Sequence, residues 1–374
     1  MKRILALDGG GIRGVFSLQI LARIEDLFRQ EQGKSDLVLA DVFDLFAGTS
    51  TGAIIATCLS WRMTVSEIDQ LYTTRGAEMF AKENWQRRWW KTKYRAKNIA
   101  DLFRDTFCED SDGRRVPALL GTNRIEKLLL VIMRNASTGS PWPVSNNRRA
   151  TYNDPALPDC NLSIPLWQLL RASTAAPSYF PPEEIVLGGR KHMFVDGGIS
   201  SFNNPALIAV LMATLPPYHL CWPATREELH VISVGTGGVR VRLPQKLAEK
   251  INILDQIRFV ASALIASASV EQDILCRIMG DCVHGAAVDS EIGKLDRPTL
   301  FGATEQKFTY TRYDQALDAT DAKIRQLSAS EAKMDNLRLI PVLQEVGREY
   351  ASEHVRIEDL YPRRTQNAPQ ENRQ

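Results

Sequence analysis

The chain of 374 residues is predicted to fold as one α/β domain with helical elaboration in its C-terminal part. Two observations lead there. Short apolar runs end at Leu7, Ala47 and Val234, and each breaks off at a glycine-rich turn: Gly9 to Gly14, Gly48 to Gly52 and Gly235 to Gly237. After the first two turns the apolar spacing changes to a helical one. In addition, no internal repeat and no clean linker divides the chain.

Taken in order, Ile4 to Leu7 reads as a short buried strand. The turn Asp8-Gly9-Gly10-Gly11-Ile12-Arg13-Gly14 leads into a helix whose Leu18, Leu21, Ile24, Leu27 and Phe28 keep helical spacing, with Gly33 as its end. The next strand ends at Ala47, and the small apolar run Ala53 to Leu59 follows its turn. Ser66 to Phe80 is expected to be a helix, with Ser66 and Asp69 at capping-box spacing. The run Leu128 to Met133 fits a buried strand, Ala136 to Pro141 a turn, and the polar stretch Asn146 to Pro158 a loop. Ile164 to Ala176 reads as a helix stopped by Pro177. Ile185 to Leu187 and Met193 to Val195 form a hairpin through Gly188-Gly189, and the second strand runs into Asp196-Gly197-Gly198. Ser200 to Asn204 is a loop before an apolar helix opened by Pro205, and Leu229 to Val234 is a further buried strand. Beyond Pro244 the pattern is helical to about Val283, then mixed through Phe308 to Tyr313, then helical over much of Asp321 to Glu353. The polar tail 362–374 is expected to be disordered.

A hydrophobic share of 44% and a charged share of 24% describe an ordinary globular protein. The formal net charge of +2 selects neither an anionic nor a neutral partner. The six cysteines include no Cys-x-x-Cys pair, which argues against a disulfide framework or zinc site and suits a reducing cytoplasm. Cys276 and Cys282 near His284 match no familiar metal spacing and read as buried helix residues, so no metal ligands are assigned. The apolar run Ile4 to Leu7 is too short for a signal-peptide core. No stretch approaches the ~20 apolar residues of a membrane span. Any membrane contact is therefore expected from the surface. Lys82 to Lys97 carries seven basic residues against one acidic, interleaved with Trp85, Trp89, Trp90 and Tyr94. That mixture suits an anionic lipid interface, a stacked nucleotide, or a helix that packs its tryptophans inward; the three stay open.

The turn at Gly48-Thr49-Ser50-Thr51-Gly52 has the spacing of a nucleophile elbow. A serine on a tight strand-to-helix turn is held in a strained conformation with its hydroxyl outward, and the glycines remove Cβ atoms that would clash as strand and helix close. By itself the pentapeptide is equally readable as a polar turn capping an ordinary helix. Gly9, Gly11 and Gly14 fit the dinucleotide fingerprint, which also wants a second strand ending in an acid about twenty residues on. Here a helix occupies that interval, so the turn is read instead as a bank of backbone donors suited to an oxyanion or a phosphate. Arg13 adds a positive charge beside it, and alone reads as a solvated first-turn residue. Of the five histidines, none sits in a glycine-rich strand-end loop, whereas Asp196 does. Raised by burial from its unperturbed ~3.9, an aspartate can serve as base to a serine; alone, Asp-Gly-Gly is a plain β-turn.

Together these motifs resemble, in order and approximate spacing, those of patatin-like phospholipases: Asp8 to Gly14, Gly48 to Gly52 and Asp196 to Gly198, supported by Arg171 to Pro182, Asn203-Asn204-Pro205 and Ser233 to Gly237. The resemblance covers the chain to about Gly237. It implies a three-layer fold with a central, mostly parallel sheet flanked by helices, divided as a catalytic core (1–240), a largely helical continuation packed on it (241–361) and the tail. It implies a lipid acyl hydrolase of the phospholipase A or lysophospholipase type, with Ser50 as nucleophile and Asp196 as base. Gly10 and Gly11 supply the oxyanion hole with Arg13 beside them, and Gly9, Gly14, Gly48, Gly52, Gly197 and Gly198 complete the motifs. No cofactor or metal is implied, the partner is membrane phospholipid met peripherally from the cytoplasm at the inner membrane surface, and no nucleic-acid polymer is expected.

Beyond Gly237 the layout is similar to bacterial patatin-like effectors that a cyclic dinucleotide switches on, in defence against phage, to degrade the cell's own phospholipids. No diagnostic nucleotide motif is visible. The competing reading is a catalytically idle lipid- or nucleotide-binding module on a hydrolase scaffold.

Overall fold

The computed structural model describes residues 1–80, 88–177, 180–238, 253–295, 305–317 and 337–361. Strand β1 (Lys2–Leu7) is buried from Ile4 to Leu7, with no polar residue in that run. A strand apolar on both faces belongs inside a sheet covered on both sides. Helix α1 (Gly14–Gln32) follows and ends at Gly33, whose left-handed φ of 64° turns its amide back onto the carbonyls of Arg29 and Gln30. Strand β2 (Leu45–Thr49) pairs in parallel with β1 and turns at once into α2 (Thr51–Ser60).

Helix α3 (Val65–Phe80) is capped two residues earlier than its Ser66 and Asp69 imply. Thr64 and Glu67 make the reciprocal box, the Thr64 amide donating to the Glu67 carboxylate at 2.8 Å and the Glu67 amide to Thr64 Oγ1 at 3.2 Å. Asp69 instead accepts from the amides of Gln19 and Gln344. Helix α4 (Arg88–Thr106) covers the second half of the tryptophan- and arginine-rich segment. The side chains of that segment before Lys97 lie outside the described residues.

Strands β3 (Cys108–Ser111) and β4 (Arg114–Pro117) form a separate two-stranded ribbon. Strand β5 (Leu128–Asn135) is the expected buried run, and β6 (Ser140–Ser145) returns antiparallel along it. With Pro141 and Pro143 in it, β6 does not read as a strand, because proline gives the ladder no donor and survives only at an edge. Helix α5 (Leu166–Ser173) is shorter at both ends than expected. Strands β7 (Glu183–Leu187) and β8 (Arg190–Asp196) form the expected hairpin through Gly188 and Gly189, both at positive φ. Helix α6 (Ala206–Thr214) and strand β9 (Leu229–Val234) follow as expected.

Helix α7 (Ile253–Met279) ends before Val283, which lies in strand β10 (Asp281–His284) together with the buried Cys282 rather than in the helix expected there. The mixed stretch contains strand β11 (Thr309–Tyr313). Two helices, α8 (Ile340–His354) and α9 (Ile357–Leu360), close the described chain. The expected helix between residues 321 and 336 and the tail 362–374 lie outside the described residues.

The main sheet runs β10-β11-β9-β1-β2-β5-β8-β7, with β6 also on β5. From β10 to β5 every pairing is parallel; from β5 outward all are antiparallel. Successive side chains leave opposite faces of a strand. Accordingly Leu5, Phe46, Leu129 and Ile232 join a core with α1, α2, α3, α5 and α8, while Ile4, Leu45, Leu130 and Val231 join a second core with α6 and Cys276 of α7. The result is three layers, helices on both faces of a mostly parallel sheet. Among the described residues no helix is long and apolar enough to cross a membrane.

Candidate active site

Parallel pairing gathers the carboxyl ends of β1, β2 and β9 at one rim of the sheet, the usual place for a site in such folds. Ser50 stands at the end of β2 with φ 54° and ψ −120°. A non-glycine residue pays of order 1–3 kcal/mol there, and persists only when its surroundings fix it. They do so by close approach. A Cβ on Gly48 would strike the backbone of Gly52 and Ala53, and one on Gly52 the carbonyls of Leu7 and Asp8. The Ser50 amide donates to Ser173 Oγ at 3.0 Å, and Ser173 Oγ donates to the Ile132 carbonyl at 2.6 Å.

Asp196 arrives from the opposite direction. β5 pairs Thr49 opposite Ile132 and Asp196 opposite Met133, the next residue. Since β6 occupies the other edge of β5 over both positions, β2 and β8 share one edge and end against each other. Ser50 Oγ donates to Asp196 Oδ2 at 2.7 Å, and the Gly198 amide donates to Asp196 Oδ1 at 2.7 Å. Gly197 leaves the strand against the Ile132 carbonyl, where no Cβ fits. Burial pushes the Asp196 carboxyl up to about 6, against the opposing pull of the Ser50 and Gly198 hydrogen bonds.

The glycine turn lies beside this pair. A Cβ on Gly9 would come within 3.3 Å of Ser50 Cβ, and one on Gly14 within 2.6 Å of Thr51 Oγ1. The Gly9 amide donates to the Asn203 carbonyl at 3.1 Å. Gly10 packs on Thr236, Gly11 takes φ 61°, and the Arg13 amide and Nε both reach the Gly10 carbonyl, at 3.3 and 3.4 Å. Among the described residues nothing accepts from the amides of Gly10 or Gly11. Asn203 Nδ2 donates to Ser269 Oγ of α7 at 2.8 Å.

The histidines lie elsewhere. His230 is buried on β9, its Nε2 2.8 Å from Thr311 Oγ1, and burial drives its pKa down to about 3. His192 meets Asn135 at 3.2 Å, and His284 meets Asp359 at 3.4 Å. Reading the sequence missed Ser173, whose link to Ser50 spans 123 positions, and Arg312, whose guanidinium holds Asp8. An arginine inside the strand-like run Thr-Tyr-Thr-Arg-Tyr was the available signal for the latter.

The arrangement offers a hydroxyl bonded to a buried carboxylate, with two unengaged amides in the adjoining turn. A family model described as patatin-like phospholipase matches residues 5–210. A cGAMP-activated phospholipase of Vibrio cholerae is 29% identical over 294 residues, 74% of this chain and 77% of that protein. One of Escherichia coli is 26% identical over 250 residues, 66% of this chain and 65% of that protein. Patatin-17 of Solanum cardiophyllum is 26% identical over 356 residues, 90% and 82% of the two chains.

Proposed function

The chain belongs to the patatin-like phospholipase family, and from that premise we propose that it hydrolyses carboxylic esters of membrane phospholipids through a Ser50–Asp196 dyad. The observation that supports this most is the 2.7 Å bond from Ser50 Oγ to Asp196, made at a strained turn with the carboxylate buried. An ordinary surface aspartate near 3.8 is too weak a base; one near 6 is matched to work near neutrality.

In the proposed reaction Ser50 Oγ attacks the ester carbonyl carbon while its proton passes to Asp196 Oδ2. The carbonyl oxygen takes the negative charge and is met by the Gly10 and Gly11 amides, with Arg13 adding positive potential nearby. Collapse breaks the bond to the alcohol oxygen, which leaves with the proton held by Asp196, and an acyl ester of Ser50 remains. Water then gives a proton to Asp196 and adds to the acyl carbon. Collapse frees the fatty acid, and Ser50 Oγ recovers the proton. No step calls for a metal or cofactor.

We extend the proposal to regulation: a cyclic dinucleotide activates the enzyme, which acts from the cytoplasm on the inner membrane surface in antiviral defence. The relatives named cGAMP-activated phospholipases support the activation. The test is fatty-acid release from phospholipid vesicles, with and without a panel of cyclic dinucleotides that includes cGAMP. Release that is weak alone, rises with one nucleotide and vanishes in folded Ser50→Ala and Asp196→Ala supports both parts. Strong release that no nucleotide changes removes the activation. Full activity in Ser50→Ala removes the dyad, and no release under any condition favours an idle binding module.

A further inference from the structure

One side chain of β11 reaches the glycine turn. Arg312 Nη1 donates to Asp8 Oδ1 at 2.9 Å and Nη2 to Asp8 Oδ2 at 2.6 Å, a two-pronged bond across 304 positions of sequence. The same guanidinium donates to Ser233 Oγ and to Asp314 Oδ2, each at 2.7 Å. Both partners of the fork are shielded, with side-chain exposures of 4% for Arg312 and 5% for Asp8. Its carboxylate neighbours hold Arg312 firmly charged despite burial.

The cluster grips the turn from two sides. Asp8 immediately precedes Gly9, and its amide donates to the Val234 carbonyl at 3.1 Å. On the other side Asp314 accepts from the Gly237 amide at 3.1 Å and packs on Gly235, where a Cβ would strike its carboxyl. Between these, Thr236 donates Oγ1 to the Gly9 carbonyl at 3.3 Å and fills the space beside Gly10. The position of Gly9 to Gly11 is thus set by the turn that follows β9 and by Asp8, the residue that follows β1, and Arg312 with Asp314 ties the two together.

We propose that Arg312 is a positioning residue for acyl transfer, holding the Gly10 and Gly11 amides at Ser50 through its fork to Asp8. The inference rests on reading that turn as the oxyanion site. Donors stabilise a developing charge only when aimed in advance, and a misplacement of about 1 Å costs on the order of a hundredfold in rate. Lysine is a point charge without the planar fork, so Arg312→Lys keeps the charge and loses the aim.

Arg277 is the matched control. It is also buried and forked, donating to Asp273 from Nε at 3.0 Å and Nη2 at 2.8 Å, but its remaining bonds go to the carbonyls of Ala286 and Lys294.

The experiment compares full-length Arg312→Lys and Arg277→Lys for Tm, for kcat and KM on vesicle phospholipid with and without cGAMP, and for hydrogen exchange of a peptide covering residues 8–14. Arg312→Lys is expected to lower kcat about ten- to a hundredfold, leave KM nearly unchanged and speed exchange in that peptide. Arg277→Lys should lower Tm with kcat per folded molecule unchanged. If Arg312→Lys does not fold, Asp8→Asn takes its place, with the same direction expected. An unchanged kcat, or slower catalysis with unaltered exchange at residues 8–14, would overturn the proposal. Hydrolysis that survives Ser50→Ala would remove the reaction itself, whereas the exchange arm reports separately whether the fork holds the turn, so the two failures are told apart.

Discussion

Ser50 and Asp196 meet because β2 and β8 run toward each other along one edge of β5, Thr49 opposite Ile132 and Asp196 opposite Met133. The antiparallel hairpin at the end of a parallel sheet is what delivers the carboxylate to the serine. A fully parallel continuation would have placed the end of β8 beside β5 rather than against β2.

The dyad reading expects Ser50→Ala and Asp196→Ala each to abolish hydrolysis while far-UV circular dichroism and Tm report a folded chain. Ser50→Gly should be equally inactive and also more stable, because glycine relieves a φ of 54° that costs a serine of order 1–3 kcal/mol. A Ser50→Gly variant less stable than the wild type would contradict the strain.

On the dyad reading Asp196 sets the acid side of the pH profile. That reading makes the carboxylate the working base, so kcat/KM should fall as pH drops through about 6. Its folded value lies above the ordinary 3.8, so the buried charge costs stability at high pH, and that cost disappears as pH falls through 6 toward 3.8. Asp196→Asn should therefore be inactive yet more stable than the wild type at pH 8, by roughly 2–3 kcal/mol. The difference should shrink toward zero by pH 4. Equal denaturation midpoints at pH 8 would count against the burial argument.

The elbow glycines should differ sharply from the exposed one. Gly52→Ala puts a methyl into the backbone of Leu7 and Asp8, so the strand–helix packing must open and the variant should be unstable or insoluble. At Gly33 nothing lies within 4 Å of a new Cβ, and only the left-handed φ of 64° is strained, which costs about 1 kcal/mol. Chemical denaturation of the two variants checks the contrast.

Substituting the histidines one at a time, with glutamine at the buried His230, should leave hydrolysis in place, since none shares the bond between Ser50 and Asp196. Loss of all activity in one variant that remains folded would favour a serine–histidine–acid triad over the dyad.

The parts of this molecule legible in its sequence are those where chemistry is local. Gly48, Gly52 and Gly197 announce close backbone approach, and the all-apolar Ile4 to Leu7 and Leu229 to Val234 announce buried parallel strands. What stayed hidden depends on partners far along the chain. β6 carries two prolines that are tolerated because it pairs only with β5 among the described strands. β10 and β11 are short, and their pairing with each other and with β9 defines them more than their composition does. The capping of α3 was misread by two positions because Thr64 and Ser66 are both good caps; only the inward hydrogen bonds of Asp69 decide between them. Ser173 and Arg312 make these bonds across 123 and 304 positions, so no local spacing names their partners, although an arginine inside a strand-like run hints that Arg312 has one.

The central claim is that Asp196 activates Ser50. Its most direct test is labelling by a fluorophosphonate, mapped by peptide mass spectrometry, in the presence and absence of cyclic dinucleotides. The account predicts covalent modification of Ser50 in the wild type, stronger with the activating nucleotide and absent in folded Asp196→Ala. Labelling of Ser50 that is undiminished in Asp196→Ala, or a folded wild type unlabelled at Ser50 under every condition, would contradict it.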